Sequence, residues 1–341
     1  TIFLLGDVLI FLPIMLYTSS LLIKTMFGLP FPLVAIATFT ATVGATYAIL
    51  GGLRAVAFCD TYNGVIVLGM AMLVTVLALN AVHWDFAGIP TERLTMIGGP
   101  DSLLPWQTLF TGMIFSQLYY WSTNQTNTQR ALAAPSIREA QKGVYAAAVI
   151  RLLIIPPVIA IPGVCAFKLY GHLGDATYGH IVRELMPQWL LGTFAAAMFG
   201  AVISSYTATL NSSATLFVCD IYQAYFYPTD RVKRLSVFLQ IGFTLVSIAL
   251  VPAYMHAESI IQLIQQLIGL FSMPILAAFI TGLLFRNVEA RAVIATIIFG
   301  ALLYATLTFG WPVLHAHYPA IPNPPHFLHL MFVTVWACIG F

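Results

Sequence analysis

The chain has 341 residues, of which 60% are hydrophobic and 8% charged, with a formal net charge of +2 and a mean hydropathy of +0.91. Soluble domains carry about 25% charged residues, so an ordinary water-soluble fold is excluded. The near-zero net charge says little about partners; the placement of the charges says more.

The apolar residues fall into roughly ten blocks, near 3–26, 31–51, 55–82, 105–125, 141–167, 189–225, 233–255, 258–285, 291–313 and 328–341. About 20 residues cross ~30 Å of hydrocarbon. A bilayer gives backbone groups no water to bond, so the blocks read as helices of an all-α polytopic membrane protein. The chain opens on Thr1 inside one block and closes on WACIGF inside another, with neither an initiating Met nor a signal peptide. The reading is a single transmembrane domain over 1–341, truncated at both ends. Cys59, Cys165, Cys219 and Cys338 are widely spaced, as small core residues are, and match neither a disulfide framework nor a metal site.

Taken in chain order, the first block carries an intramembrane acid, Asp7, with no evident partner. Asp60, in GGLRAVAFCDTYNG, stands at a helix start. It either caps that helix or serves as a way station for a cation leaving inward. The fourth block runs into QLYYWSTNQTNTQR, residues 117–130. Residues 105–121 already make ~25 Å of helix, so Tyr119, Tyr120 and Trp121 lie below mid-membrane. The polar groups that follow are tolerated there where backbone lines an aqueous cavity, as in broken transporter helices. Aromatic faces beside amides suit a sugar-like solute.

Arg151 lies ~13 Å inward from Lys142, near the bilayer centre. Such a charge faces a cavity or a partner, or else snorkels to the interface; Pro156 and Pro157 imply a bent, protein-buried helix and favour the cavity. The sixth block holds AAAMFGAVISSYTATLNSSATLF, residues 195–217. Ala201, Ser204, Ser205 and Ala208 share one face. That face is either a small-residue packing surface or the oxygen-rich wall of an alkali-cation site. Gln262, Gln265 and Gln266 then place amides in the eighth block, where Gly269 and Pro274 imply another interruption.

Alternating the loops sorts the basic residues. Arg54, Arg130, Arg138, Lys142, Arg231, Lys233, Arg234, Arg286 and Arg291 fall on one side, and Lys24, Arg93, Lys168 and Arg183 on the other. The first side is therefore cytoplasmic. All eight histidines fall opposite, and the ordinary reading is polar loop residues.

Four stretches carry a family resemblance: YAILGGLRAV (47–56), LYYWSTNQTNTQRALAAPSIREAQKG (118–143), AVISSYTATLNSSATLFVCDIY (201–222) and LIQQLIGLFSMPILAAF (263–279). In order and together they resemble the solute:sodium symporters of the sodium/glucose (galactose) cotransporter-like branch. The resemblance implies an inverted-repeat, five-plus-five helix secondary-transporter fold, here without the first core helices. It places Ala201, Ser204 and Ser205 in a sodium site, with Na⁺ as the coupling ion. Asp60 and Thr207 fall at a sodium exit or second site, which Ala208, lacking a hydroxyl, leaves short of one oxygen. Gln117, Tyr120, Trp121, Arg151 and Gln265 take the solute positions. The implied function is symport of a small polar solute, a monosaccharide foremost, across a bacterial inner membrane.

The alternatives are another solute (amino acid, carboxylate, sialic acid or inositol) or a transporter-like sensory domain. The expected partners are the solute, sodium and the lipid bilayer, with no nucleic acid. No nucleophile–base constellation, His/Asp metal cluster or phosphate-cradling loop marks an enzyme.

Overall fold

Backbone groups shut away from water bond along their own chain, and the long apolar blocks are accordingly helical. The computed structural model describes residues 4, 6–95, 97–99, 102, 104–226, 232–255, 260–318 and 322–341; the side chains of 52–60, 125, 126, 129, 130 and 260–262 fall outside that description. In chain order the helices are α1 (Leu12–Phe27, led by π-helical Asp7–Phe11), α2 (Leu33–Ala81) and α3 (Gly112–Leu118). There follow a π-helical turn at Tyr119–Thr123, α4 (Gln125–Leu132), α5 (Ile137–Leu153), α6 (Ile155–Tyr170), α7 (Thr177–Leu185) and α8 (Gln188–Leu216). The chain closes with α9 (Val232–Tyr254), α10 (Ile260–Leu284), α11 (Ala290–Ala305) and α12 (Phe327–Gly340). Among the described residues, eight helical stretches are long and apolar enough to cross a membrane.

Helix α2 is helical over 49 residues, yet positions on either side of its middle flank the same part of α8. Gly44 lies against the Tyr206 ring and Gly200 against the Asn63 side chain. Positions 44 and 63 would stand ~28 Å apart on a straight rod, whereas 200 and 206 are ~9 Å apart. The two halves therefore lie side by side as two spans, Leu33–Gly51 and Thr61–Ala81, which agrees with the two apolar blocks of the sequence.

The chain folds into two compact units. Unit 1 comprises Thr1–Leu94 and Pro135–Ile260 and is built on α8, which packs against α1, α2 and α9. One end is closed by Met26, Val74, Ala78, Cys165, Ile181 and Phe194, contributed by five helices. Three of the four basic residues assigned to the outer loops meet near it. Lys168 Nζ is 3.0 Å from Asp85 Oδ2, the Arg93 guanidinium lies 3.9 Å over the Phe167 ring, and Arg183 packs on Gly28, whose φ of +59° ends α1 in the left-handed region. The break expected from Pro156 and Pro157 is present, since α5 stops at Leu153 and both prolines occupy the first turn of α6, where a missing N–H is harmless. The expected burial is not: α5 has no buried residue, and the prolines serve helix entry rather than enclosure.

Unit 2 comprises Thr95–Ala134 and Ile261–Phe341. Here α3 seats against α12, with Gly112 bare because the Leu328 backbone occupies the place of a side chain. Phe115 continues the contact to Phe332 at 5.7 Å and Trp336 at 6.4 Å. The interruption expected at Gly269 and Pro274 does not occur, since α10 runs through both for 25 residues. Both residues serve packing instead. Gly269 leaves room for the Tyr304 hydroxyl, and the Pro274 ring fills the space left by Gly300.

Candidate functional site

The polar run after α3 answers to the backbone first. The chain widens into a π-helical turn at Tyr119–Thr123 and becomes extended at Asn124, with φ −70° and ψ 122°. This interruption is the one the sequence calls for. Ser122 donates to the Leu118 carbonyl, and Thr123 to the Tyr119 carbonyl at 2.9 Å. Asn127 Nδ2 reaches the Tyr120 carbonyl at 2.8 Å, and Thr128 Oγ1 donates to the Asn124 carbonyl at 3.0 Å. Buried backbone groups require partners, and these side chains supply them where the helix no longer does.

Tyr119 and Asn124 are buried, Tyr120 is half-buried, and Gln117 and Trp121 face outward. Trp121 Nε1 donates to Gln117 Oε1 at 3.1 Å, and the two residues are exposed. Tyr120 crosses Trp121 edge to face with ring centroids 5.1 Å apart. The sequence reading missed Ser116, which is buried and donates to Gln265 Oε1 at 3.3 Å. Unit 2 thus gathers four of the five predicted solute residues on two elements: Gln117, Tyr120 and Trp121 at the interruption, and Gln265 on α10, tied to α3 through Ser116. Hydrogen-bonded amides beside aromatic faces can grip hydroxyl groups and stack on ring carbons. The fifth residue, Arg151, belongs to unit 1 and is exposed on α5.

In unit 1, α8 carries the predicted cation residues through a regular helix. Ser204 is buried, Ala201 is half-buried and Ser205 exposed. Thr207 Oγ1 donates to the Gly44 carbonyl at 3.1 Å, so its hydrogen ties α8 to α2 while its lone pairs stay available. Ala208 is fully buried. The Asp60 side chain lies outside the described residues. Asn63, one turn further along the same helix, packs its amide on Gly200 beside Ala201, which brings the start of the Thr61–Ala81 span against this part of α8. Spacing alone gave Asn63 no signal beyond its place three residues after Asp60. Among the described residues no three His, Cys, Asp or Glu side chains gather into a metal cluster.

Apolar spans, an interrupted helix bearing amides and a hydroxyl-lined helix define a multi-pass membrane transporter architecture. The same fold is found in a solved structure of a Na⁺-coupled sialic acid symporter in its substrate-bound outward-open state. The TM-score is 0.74 over 99% of this chain and 71% of that one, at 19% identity. A model of the sodium:solute symporter family matches residues 3–300, and the chain belongs to that family. It is 33% identical over 331 residues to the uncharacterized symporter YidK of Escherichia coli, covering 90% of this chain and 57% of that protein. It is 29% identical over 324 residues to the sodium/glucose cotransporter of Vibrio parahaemolyticus, covering 83% of this chain and 58% of that protein. Against the rat sodium/myo-inositol cotransporter 2 the identity is 26%, over 84% of this chain and 49% of the relative.

Proposed function

We propose that the complete protein couples inward movement of Na⁺ to uptake of a small, neutral, hydroxyl-rich solute, a monosaccharide or a close polyol, across a bacterial plasma membrane. The supporting observation is the chemistry at the interruption in unit 2. Gln117 and Gln265, each held by a hydrogen bond, present neutral amides with no described carboxylate among them. A hydroxylated ligand satisfies both faces of such amides, at about 1 kcal/mol net for each hydrogen bond. Relatives named for glucose, mannose and myo-inositol transport fit the same class.

In this reading Ser204 and Ser205, with the Ala201 turn, form the α8 half of the cation site, and Asp60 and Thr207 border its inward exit. Sodium at that half orders the solute residues through a reciprocal coupling of ~1–3 kcal/mol. Tyr120 and Trp121 floor the solute, and Arg151 is the basic residue that the family resemblance assigns to it. The decisive experiment is uptake of labelled hexoses, inositol and an acidic sugar by the complete protein, with sodium and with choline in its place. Sodium-dependent uptake of a neutral sugar or polyol is expected. Uptake unaffected by sodium would remove the coupling, and preference for the acidic sugar would reassign Arg151 to a carboxylate.

A further inference from the structure

Among the described residues, Asp7 is the one carboxylate or basic side chain that is buried, at 5% exposure. It opens the π-helical turn Asp7–Phe11, a widened geometry that recurs at functional positions. Its Oδ2 lies 3.5 Å from Ser213 Oγ, and Ser213 also donates to the Thr209 carbonyl at 2.9 Å. The ion pairs of the described residues, Lys142–Glu139, Lys168–Asp85 and Arg183–Glu184, do not involve Asp7. Tyr254 fixes this segment by donating to the Leu9 carbonyl at 2.6 Å.

A second buried oxygen stands at the residue before Ser213 on α8. Ser212 is 1% exposed, and its Oγ has no hydrogen-bond partner. It adds one turn to the Ala201, Ser205, Ala208 stripe of α8, ~10 Å inward from Ser205. Its neighbour Ser213 turns ~100° away around the helix, toward Asp7. An ionised carboxylate at that depth, without a cation, is unfavourable by several kcal/mol. A carboxylate with hydroxyl oxygens on the adjoining turn is the donor set of a hard alkali cation.

We propose that Asp7, Ser212 and Ser213 form a second Na⁺ station, one step inward of Ser204 and Ser205, where the cation rests on its way to the cytoplasm. This rests on the sodium-coupled reading and compensates within α8 for the hydroxyl absent at Ala208.

The test is direct binding of radioactive ²²Na⁺ to the purified complete protein, alongside sodium-dependent thermal stabilisation, with no solute present. Asp7→Asn should bind one Na⁺ fewer, or raise the half-saturating concentration of the weaker site ~tenfold. Ser212→Ala, which deletes only a hydroxyl and so keeps the fold if Asp7→Asn does not, should shift the same phase and leave the tighter phase alone. Wild-type stoichiometry and midpoints in both variants would overturn the station. So would a loss of pH dependence in Asp7→Asn with an unchanged sodium titration, since that marks a proton site. Absence of sodium binding in the wild type would instead bring down the coupled-transport reading itself.

Discussion

Helix α8 in unit 1 and the segment after α3 in unit 2 both carry polar side chains within apolar surroundings. Both bond hydroxyls to carbonyls four residues back, but only α8 stays intact around them. On α8 the hydroxyls of Thr209, Ser213 and Thr215 each bond the carbonyl four residues back, at 3.2, 2.9 and 2.9 Å, and the helix stays regular for 29 residues. After α3 the helix widens and opens, and the Asn127 amide must cross seven residues to reach the Tyr120 carbonyl. Short hydroxyls are satisfied within an intact helix; longer amides repair an interrupted one. The α8 hydroxyls are therefore held by main chain, whereas Gln117 and Gln265 in unit 2 are held by pairs of side chains. These are the halves that the proposed function divides between cation and solute.

That contrast can be broken most severely at the seat of the interrupted segment. Gly112→Ala puts a methyl group where the Leu328 backbone lies, so α12 must move away from α3. Overpacking against backbone should cost ~3 kcal/mol, seen as a clear fall in melting temperature of the purified complete protein. Gly242→Ala, at a glycine with open space around it, is the control that should melt like wild type. Equal melting of the two variants would mean that α3 is not seated as described.

The next effect separates the halves by function. Ser205→Ala removes one exposed oxygen from α8 and should raise the half-saturating sodium concentration ~tenfold while leaving the ranking of solutes intact. Gln265→Glu replaces a neutral amide bonded to Ser116 and should reorder the solutes without moving the sodium midpoint at saturating solute. Crossed results, with Ser205 governing ranking and Gln265 governing sodium, would mean that the roles are wrongly divided.

Much of this contrast is legible in the sequence, because it rests on depth and spacing. The polar run from Tyr119 to Gln125 is visible behind its apolar lead, although the α-helix expected from 105 begins only at Gly112, after the 3-10 turn Trp106–Phe110. The hydroxyls of α8 recur at helical intervals. What stayed hidden depended on partners remote in sequence. Ser116 is one hydroxyl in an apolar run, and Gln265, its acceptor, is 149 residues away. Asn63 is unremarkable until Gly200 is seen beneath it. Gly269 and Pro274 were misread because the same residues that signal a break also signal close packing. Only the positions of Tyr304 and Gly300 tell the two apart.

The smallest expected effect lies outside both halves, at the loop end of unit 1, and measures how little the aqueous charges contribute. Asp85 accepts from the Ala87 backbone N–H at 2.8 Å and from Lys168 Nζ at 3.0 Å. The backbone hydrogen bond, then the Lys168 ammonium, hold its carboxyl below the ordinary value of 3.8. A depressed folded-state value means that the stabilisation is fully present above the unfolded value and is lost as pH falls through the folded one. Asp85→Asn should thus lower the melting temperature slightly and equally from pH 5 to pH 8. The gap to wild type should begin to close as the pH falls below about 4 and vanish at the lower pH where the folded carboxyl is itself protonated. A gap that widened on acidification would mean that the side chain is better accommodated protonated, and that the Ala87 and Lys168 contacts do not hold the ionised form.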